Sequence, residues 1–468
     1  MKLWHLMVLG GLGLAAQAAP PNVLLIISDD QGFGDFGFNG NKLVRTPQLD
    51  RLAGESAIYR NFTVAAACSP TRAAVFTGRD HLLTGVWGVP PRANLRPDET
   101  RMPAFFKAAG YRTLHVGKLD CAKMGKGNPT DFGWDDYLGG GGYEHRDPMM
   151  WKPRNSARGQ GWTVDLWTDY ALQFIRERSD QPWFLSLAYI IPHMPWICDE
   201  KHSAPFLAQG CSQNLAACYG CIAHLDECIG RLLAGLKAAG QDQRTIVVFV
   251  SDNGPTSPEV KGKDEEALAK DPDWQKRNIA KLRGHKALVW ENGDRVPLLV
   301  RWPGVIKPGE RKQFGCAEDI LPTVLDLAGI KPGIVTHQPF TGVSLRPSLE
   351  NVATVRERSE VFRMAIAGPG SPREGISDVR QRKYEDHHLT LRGPRFKFHA
   401  LPRGQRALFD IEADPGETTD VQAKFPDVMA RMERDCRARW EQIIASGRSF
   451  MPPPPDAQKT KARKSEDL

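Results

Sequence analysis

Beyond its first 18 residues the chain has no apolar stretch approaching the roughly 20 residues that cross a bilayer, which excludes stable membrane insertion. It has no dense basic run either: 62 Lys and Arg are spread along the sequence, and the net charge is only +7. Nucleic acid is excluded as a partner on that ground, while anionic substrates are favoured in a general way. No internal repeat is present, so a stacked-repeat architecture is excluded. Glycine and proline, 44 and 35 residues, fall short of a collagen-like or low-complexity chain. With 41% hydrophobic and 25% charged residues, coiled coil and wholesale disorder are excluded as well. What remains is an ordinary globular composition in 468 residues, which suits one large α/β unit with a smaller one appended.

The amino terminus reads as an export signal, residues 1–18. Lys2 supplies the positive start, residues 3–16 are mostly apolar, and Ala16-Gln17-Ala18 is a small-x-small cleavage site. Its removal predicts an exported protein, periplasmic or secreted. That places nine cysteines where disulfides are permitted. Five of them, Cys198, Cys211, Cys218, Cys221 and Cys228, fall within 31 residues, and spacing alone does not assign partners. Cys221, His224 and Cys228 share one face of a helix predicted over residues 219–238. They read as a metal cluster or, more plainly, as core thiols or disulfide halves. A zinc site needs a fourth ligand, and none is evident at suitable spacing.

Four short, β-branched-rich apolar runs end in polar residues. VLLIIS at 23–28 enters Asp29-Asp30, residues 113–116 enter Gly117-Lys118, 183–189 enter Pro192-His193, and TIVVFVS at 245–251 enters Asp252-Asn253. Alternating with helical stretches, they predict a doubly wound α/β sheet, buried on both faces and mostly parallel. Ligands bind beyond the carboxyl ends of such strands, so two acidic pairs, a Lys and a His converge at one edge. Residues 19–352 form the expected catalytic unit, with a polar surface insertion at 255–283. Residues 353–448 form a smaller α+β unit, with a strand pair in 388–400 and a helix over 427–444. The proline-rich and charged tail, 449–468, has nothing to bury.

Asp29, Asp30, Asp252 and Asn253 offer four oxygen side chains, three of them anionic. Such a set suits a hard cation, calcium before magnesium. In CSPTR, Pro70 fits the first turn of a helix running to Thr77, which puts Cys68 at the amino end where backbone N–H groups favour an anion. Arg72, one turn on, can turn back toward Cys68. A plain reactive cysteine or a disulfide half are the other readings of Cys68.

CSPTR, with NVLLIISDDQGFGDFGFNG, GYRTLHVGK, PHMP, SDNGP, KALVWENGDRVPLLVRWPG and LFDIEADPGET, strongly resembles a type I, formylglycine-dependent sulfatase of the arylsulfatase-like family. The resemblance covers nearly the whole mature chain. It implies an alkaline-phosphatase-like fold, with a large mixed, mostly parallel sheet flanked by helices and a smaller carboxyl-terminal antiparallel sheet. It implies that a maturation enzyme oxidises Cys68 to formylglycine, and that Asp29, Asp30, Asp252 and Asn253, with the modified Cys68, bind Ca2+. Arg72 then holds the formylglycine, Lys118 contacts it and the sulfate, and His193 and Lys286 stand on the leaving-group side. Attack of the aldehyde hydrate on sulfur follows, and its second hydroxyl permits collapse and release of sulfate.

One departure stands out. The family motif G-K-W-H reads here Gly117-Lys118-Leu119-Asp120. Asp120 either faces the site as a substitute base, its charge offset by Lys118 and Lys123, or turns away and leaves the task to a group such as His115. The resemblance implies hydrolysis of a sulfate ester on a sulfated carbohydrate, polysaccharide or small molecule. A phosphodiester or phosphonate hydrolase and a non-catalytic glycan-binding relative are the alternatives. Pocket loops at 128–161 and 255–283 set the substrate, with Arg92, Arg96, His145, Arg146 and Arg283 as candidate contacts. Neither the sugar nor the oligomeric state is readable.

Overall fold

Nearly every residue of the first strand is fully buried, and its side chains divide between two hydrophobic cores. Val23, Leu25 and Ile27 enter one and Leu24 and Ile26 the other. A strand buried on both faces has no polar position to spare, which is why the run is uninterrupted. In this computed structural model the described residues are 19–89, 95–121, 132–140, 142–152, 156–177, 180–256, 272–355, 358–366 and 383–448. The export signal, the terminal tail, Arg92 and Lys123 lie outside them, as do residues 257–271 of the expected insertion.

The strands of the main sheet, in chain order, are β1 (Asn22–Ser28), β2 (Ala57–Tyr59), β4 (Arg112–Gly117), β5 (Asp136–Gly140), β6 (Met149–Trp151), β7 (Ala157–Arg158), β8 (Trp183–Ala188), β9 (Thr245–Ser251), β10 (Leu298–Arg301) and β11 (Gly309–Arg311). A two-stranded pair, β3 (Phe62–Thr63) and β12 (Gly315–Cys316), lies apart from them. The main sheet runs β11-β2-β10-β9-β1-β8-β4-β5-β6-β7. Its centre, from β9 to β5, is parallel, while β10, β6 and β7 are antiparallel to their neighbours.

Helices α2 (Cys68–Thr77) and α3 (Met102–Ala108) cover one face, and α1 (Pro47–Gly54), α4 (Thr163–Arg176) and α6 (Gln213–Ala238) the other. Between the last two runs α5 (Glu200–Leu207), packed on α6. The expected mixed, mostly parallel sheet is present. α6 starts six residues before the predicted boundary, because Ser212 caps it by accepting from the Leu215 N–H.

Register aligns the strand ends. Ser28 pairs with Ser251 across β1 and β9, Ile27 with Ala188 across β1 and β8, and Gly117 with Ala188 across β4 and β8. The residues that follow each strand therefore emerge along one line.

The second sheet is a four-stranded antiparallel meander, β13 (Val361–Met364), β14 (Leu389–Arg392), β15 (Phe396–Leu401) and β16 (Gln405–Asp410), where the sequence predicted a pair. The helix Pro426–Ala445 covers it with Met432, Cys436, Trp440 and Ile443, and Leu82 and Trp87, beyond α2, enter the same core. Buried ion pairs join the sheets: Arg363 to Glu318 at 2.7 Å, Arg392 to Glu291 at 2.9 Å, and Lys397 to Glu291 at 3.1 Å and Asp294 at 3.2 Å. All nine cysteines are free thiols in the structure. No helix among the described residues is long and apolar enough to cross a membrane.

Candidate active site

The two acidic pairs meet where register places them. Asp29, Asp30, Asp252 and Asn253 are fully buried beyond β1 and β9. Asp30 has a φ of 64°, the left-handed region that Asp tolerates better than most residues. Its backbone N–H donates to Asp252 Oδ1 at 3.2 Å, and Asn253 Nδ2 donates to Asp30 Oδ1 at 2.7 Å. Burial pushes the Asp30 carboxyl up, but Lys286 and then His193 outweigh it and hold the group below its ordinary value. Burial and the neighbouring Asp29 push Asp252 the other way.

Cys68 opens α2 as predicted, and Gly78 ends the helix with a φ of 66°. Burial first, then Asp120, raises its thiol to about 12. Arg72 anchors to the strand ends. Its Nε and Nη2 donate to Asp252 Oδ2 at 2.9 and 2.7 Å, and Nη1 donates to the Lys118 carbonyl at 2.5 Å. A buried carboxylate is a far stronger acceptor than a neutral thiol, so the guanidinium donates to Asp252, with Cys68 close enough to act on its charge.

Gly117 turns the chain beyond β4 with a φ of 104°. A β-carbon there would lie 2.0 Å from the Ala188 carbonyl oxygen, so the turn requires glycine. It delivers Lys118, whose Nζ donates to Asp29 Oδ2 at 2.7 Å and lies 3.7 Å from Asp120. Burial disfavours the ammonium, but Asp120 and Asp29 outweigh it and keep it charged. Asp120 faces the site. Ser69 Oγ donates to Asp120 Oδ2 at 2.7 Å, and Lys118 overcomes burial to hold the carboxyl below its usual range. The other candidate base, His115, lies inside the sheet against Trp134 and Phe76, and burial lowers it to about 3.

Lys286 and His193 close the other side. Lys286 Nζ is 2.6 Å from Asp30 Oδ1, and His193 Nε2 is 3.6 Å from Asp30 Oδ2. His193 Nδ1–H donates to the Met194 carbonyl at 2.5 Å, which leaves Nε2 to face the cluster. All the predicted site residues therefore meet at one edge. A cavity of about 410 Å³ opens at the start of β4 and holds none of them.

Three buried oxygens here lack a hydrogen-bond partner: Asp29 Oδ1, Asp30 Oδ2 and Asn253 Oδ1. Unpartnered buried acceptors are costly and rare, and an all-oxygen set from two strand ends fits a hard cation. Ligand atoms of Asp29, Cys68 and Asp252 lie within 4.8 Å of one another, so the cysteine sits beside the same space.

Some contributors escaped sequence reasoning. Tyr143 stacks on His193, with ring centroids 3.9 Å apart, and its hydroxyl is 2.8 Å from Lys118 Nζ. Its GGGGYEHRDP context marked only a loop. Asp35 and Arg277 pair at 2.8 Å beneath the Asp30 turn, and Arg277 donates to the Asp30 carbonyl. Their separation of 242 residues hides that contact from any local pattern.

Among the candidate substrate contacts, His145 is buried near His193, Arg146 lies over Trp162, Arg283 stacks on Trp290, and Arg96 pairs with exposed Asp98. Of the helical cysteine-histidine cluster, His224 and Cys228 meet, with Asp165 as the third group, their ligand atoms within 4.8 Å of one another. His224 and Cys228 both bond Asp165, which already holds the Arg231 guanidinium at 2.6 Å, and Cys221 faces elsewhere.

The family model described as Sulfatase matches residues 21–330. N-acetylgalactosamine-6-sulfatase of Sus scrofa is 32% identical over 388 residues, covering 74% of this chain and 70% of its own length. The solved structure of Ps i-CgsB in complex with k-i-k-neocarrahexaose superposes with a TM-score of 0.75 at 24% identity, covering 91% of this chain and 93% of that one. The phosphonate monoester hydrolase of Agrobacterium radiobacter shares the fold more distantly, with a TM-score of 0.63 at 20% identity over 90% of this chain and 96% of that one.

Proposed function

The chain belongs to the sulfatase family, as a type I sulfuric ester hydrolase of the alkaline phosphatase superfamily, and from that premise we propose that it is exported and desulfates a carbohydrate, using Ca2+ and a formylglycine made from Cys68. The observation that carries the site assignment is the trio of unpartnered buried oxygens beside Cys68, flanked by two lysines. Asp29, Asp30, Asp252 and Asn253 would hold the calcium. Bound there, calcium and the aldehyde hydrate supply the nucleophile and part of the charge neutralisation.

The rest falls to the chain's own side chains. Arg72 holds the Asp252 carboxylate in place through two N–H donors. Lys118 and Lys286, on opposite carboxylates, neutralise charge on the sulfate oxygens from two sides. His193, its Nδ1–H held by Met194, presents Nε2 and donates a proton to the departing alkoxide when protonated. Asp120 would accept a proton beside the Cys68 position, a task the family gives to His. Held anionic by Lys118 and Ser69, it stays a competent acceptor at a pH where a His is already charged.

The carbohydrate substrate class rests on the named activity of the 32% identical relative and on the mild basic charge. The fold also serves a phosphonate monoester hydrolase, so paired assays on aryl sulfate and aryl phosphonate esters test the reaction class. Desulfation of defined sulfated oligosaccharides, with mass analysis of the Cys68 peptide for an aldehyde, tests the rest. An active enzyme carrying an unmodified Cys68 thiol would defeat this proposal.

A further inference from the structure

The loop that carries His193 is packed onto α6 through two thiols. The Cys198 sulfur lies against the helix backbone, 3.7 Å from the Ala217 carbonyl and 2.5 Å from where a β-carbon on Gly220 would stand. Glycine at 220 thus makes room for a sulfur. Reciprocally, the Cys221 thiol donates to the Ile197 carbonyl at 3.5 Å, one residue before Cys198. Each thiol also shifts the other's proton affinity, Cys198 downward and Cys221 upward. Both line a cavity of about 10 Å³, with room for one water at most. Cys198 is partly exposed and Cys221 buried, so one partner is open to an oxidant and the other is shielded. The contact with Cys221 also lowers the Cys198 thiol below its ordinary value, which makes the exposed partner the attacking one. Cys228, further along α6, is occupied by Asp165.

We propose that Cys198 and Cys221 are a disulfide-forming pair that ties the His193 loop to α6. The Cys198 thiolate attacks one sulfur of an external disulfide, either oxidised glutathione or the disulfide of an exchange protein, and expels one thiolate. Cys221 then loses its proton and attacks the Cys198 sulfur, expelling the second. Two protein thiols are oxidised to one S–S bond, the external disulfide is reduced to two thiols, and the two released protons go to the expelled thiolates. The bond closes a 24-residue loop, residues 198–221, and shortens the sulfur contact to about 2.05 Å. Neither cysteine touches the proposed reaction centre. The inference stands apart from the desulfation reading, and a peptide-mass readout separates their failures.

The test uses the purified full chain, reduced and then exposed to oxidised glutathione, alkylated, and digested without reduction. The expected result is one cross-linked peptide pair holding Cys198 and Cys221, with two alkylatable thiols lost. Cys198→Ser and Cys221→Ser should each abolish that pair. The oxidised wild type should unfold roughly 3 °C or more above its reduced form, a gap the variants lack. Alkylation of both cysteines, glutathione held on Cys198 alone, or a link from Cys198 to Cys218 or Cys211 would each overturn the proposal.

Discussion

The molecule buries two clusters of charge, and they are finished differently. At the sheet junction, Glu318, Glu291, Asp294 and Glu417 meet Arg363, Arg392 and Lys397, and none of these acids leaves a buried oxygen unpartnered. At the carboxyl edge of the main sheet, Asp29, Asp30 and Asn253 face Lys118, Lys286 and His193, and each leaves one oxygen without a partner. Burial is equal in both places, so burial alone does not mark function. A satisfied cluster is a fastening between two sheets. An unsatisfied one keeps acceptors in hand for a guest.

The sharpest way to break that contrast is at Asp252. Asp252→Ala is expected to lose bound calcium and to lower kcat/KM at least about a thousandfold, because the metal and Arg72 lose the same carboxylate. Calcium titration and sulfate release on one sample check this, and near-wild-type turnover would make Asp252 scaffold. At the junction, Glu318→Gln leaves the Arg363 guanidinium buried without its anion. Urea unfolding should show a loss of about 3–5 kcal/mol, with kcat per folded molecule unchanged.

Asp120→Asn should come next, lowering kcat about a hundredfold and letting sulfated enzyme accumulate under turnover. Unchanged kcat would place the proton acceptor elsewhere. The smallest effect expected is a pH dependence. Burial raises Asp294 and Glu417 from 3.8 and 4.5 to about 7 each. The native state then holds protons that the unfolded chain releases in that interval. Stability should therefore rise as pH falls from 8 to 5.5, by roughly 2 kcal/mol for each proton the pair takes up. Thermal unfolding across that range reads it out, and a flat or inverted trend would mean the junction shares its charge otherwise.

How much of this was legible follows from where the constraints are local. β1 and β9 read clearly because strands buried on both faces are uninterrupted apolar runs, and their acidic ends marked the candidate metal ligands. CSPTR read as a helix start for the same local reason. β16 hid because it begins exposed and only later turns inward, and β13 because the residues before it carry no alternation. The direction of Arg72, the Asp35–Arg277 support and the Tyr143 stack were out of reach, since each depends on partners from distant segments. Lys286 entered only through resemblance. It precedes β10, whose reversal brings the start of that strand to the edge where its parallel neighbours end.

Cys68 is 3% exposed and opens a helix whose every residue is buried. An enzyme that must draw its side chain into a cleft of its own cannot reach it once the sheet has closed, so the proposed oxidation runs against a clock set by folding. That clock starts late. Asp252, which anchors Arg72, follows β9, and β9 pairs with β1 across more than 200 residues. On a ribosome adding roughly 5–20 residues each second, β9 is complete on the order of ten seconds or more after Cys68 is made. Long-range parallel pairing, usually a liability for folding speed, would here hold the proposed modification site open while there is still time to use it.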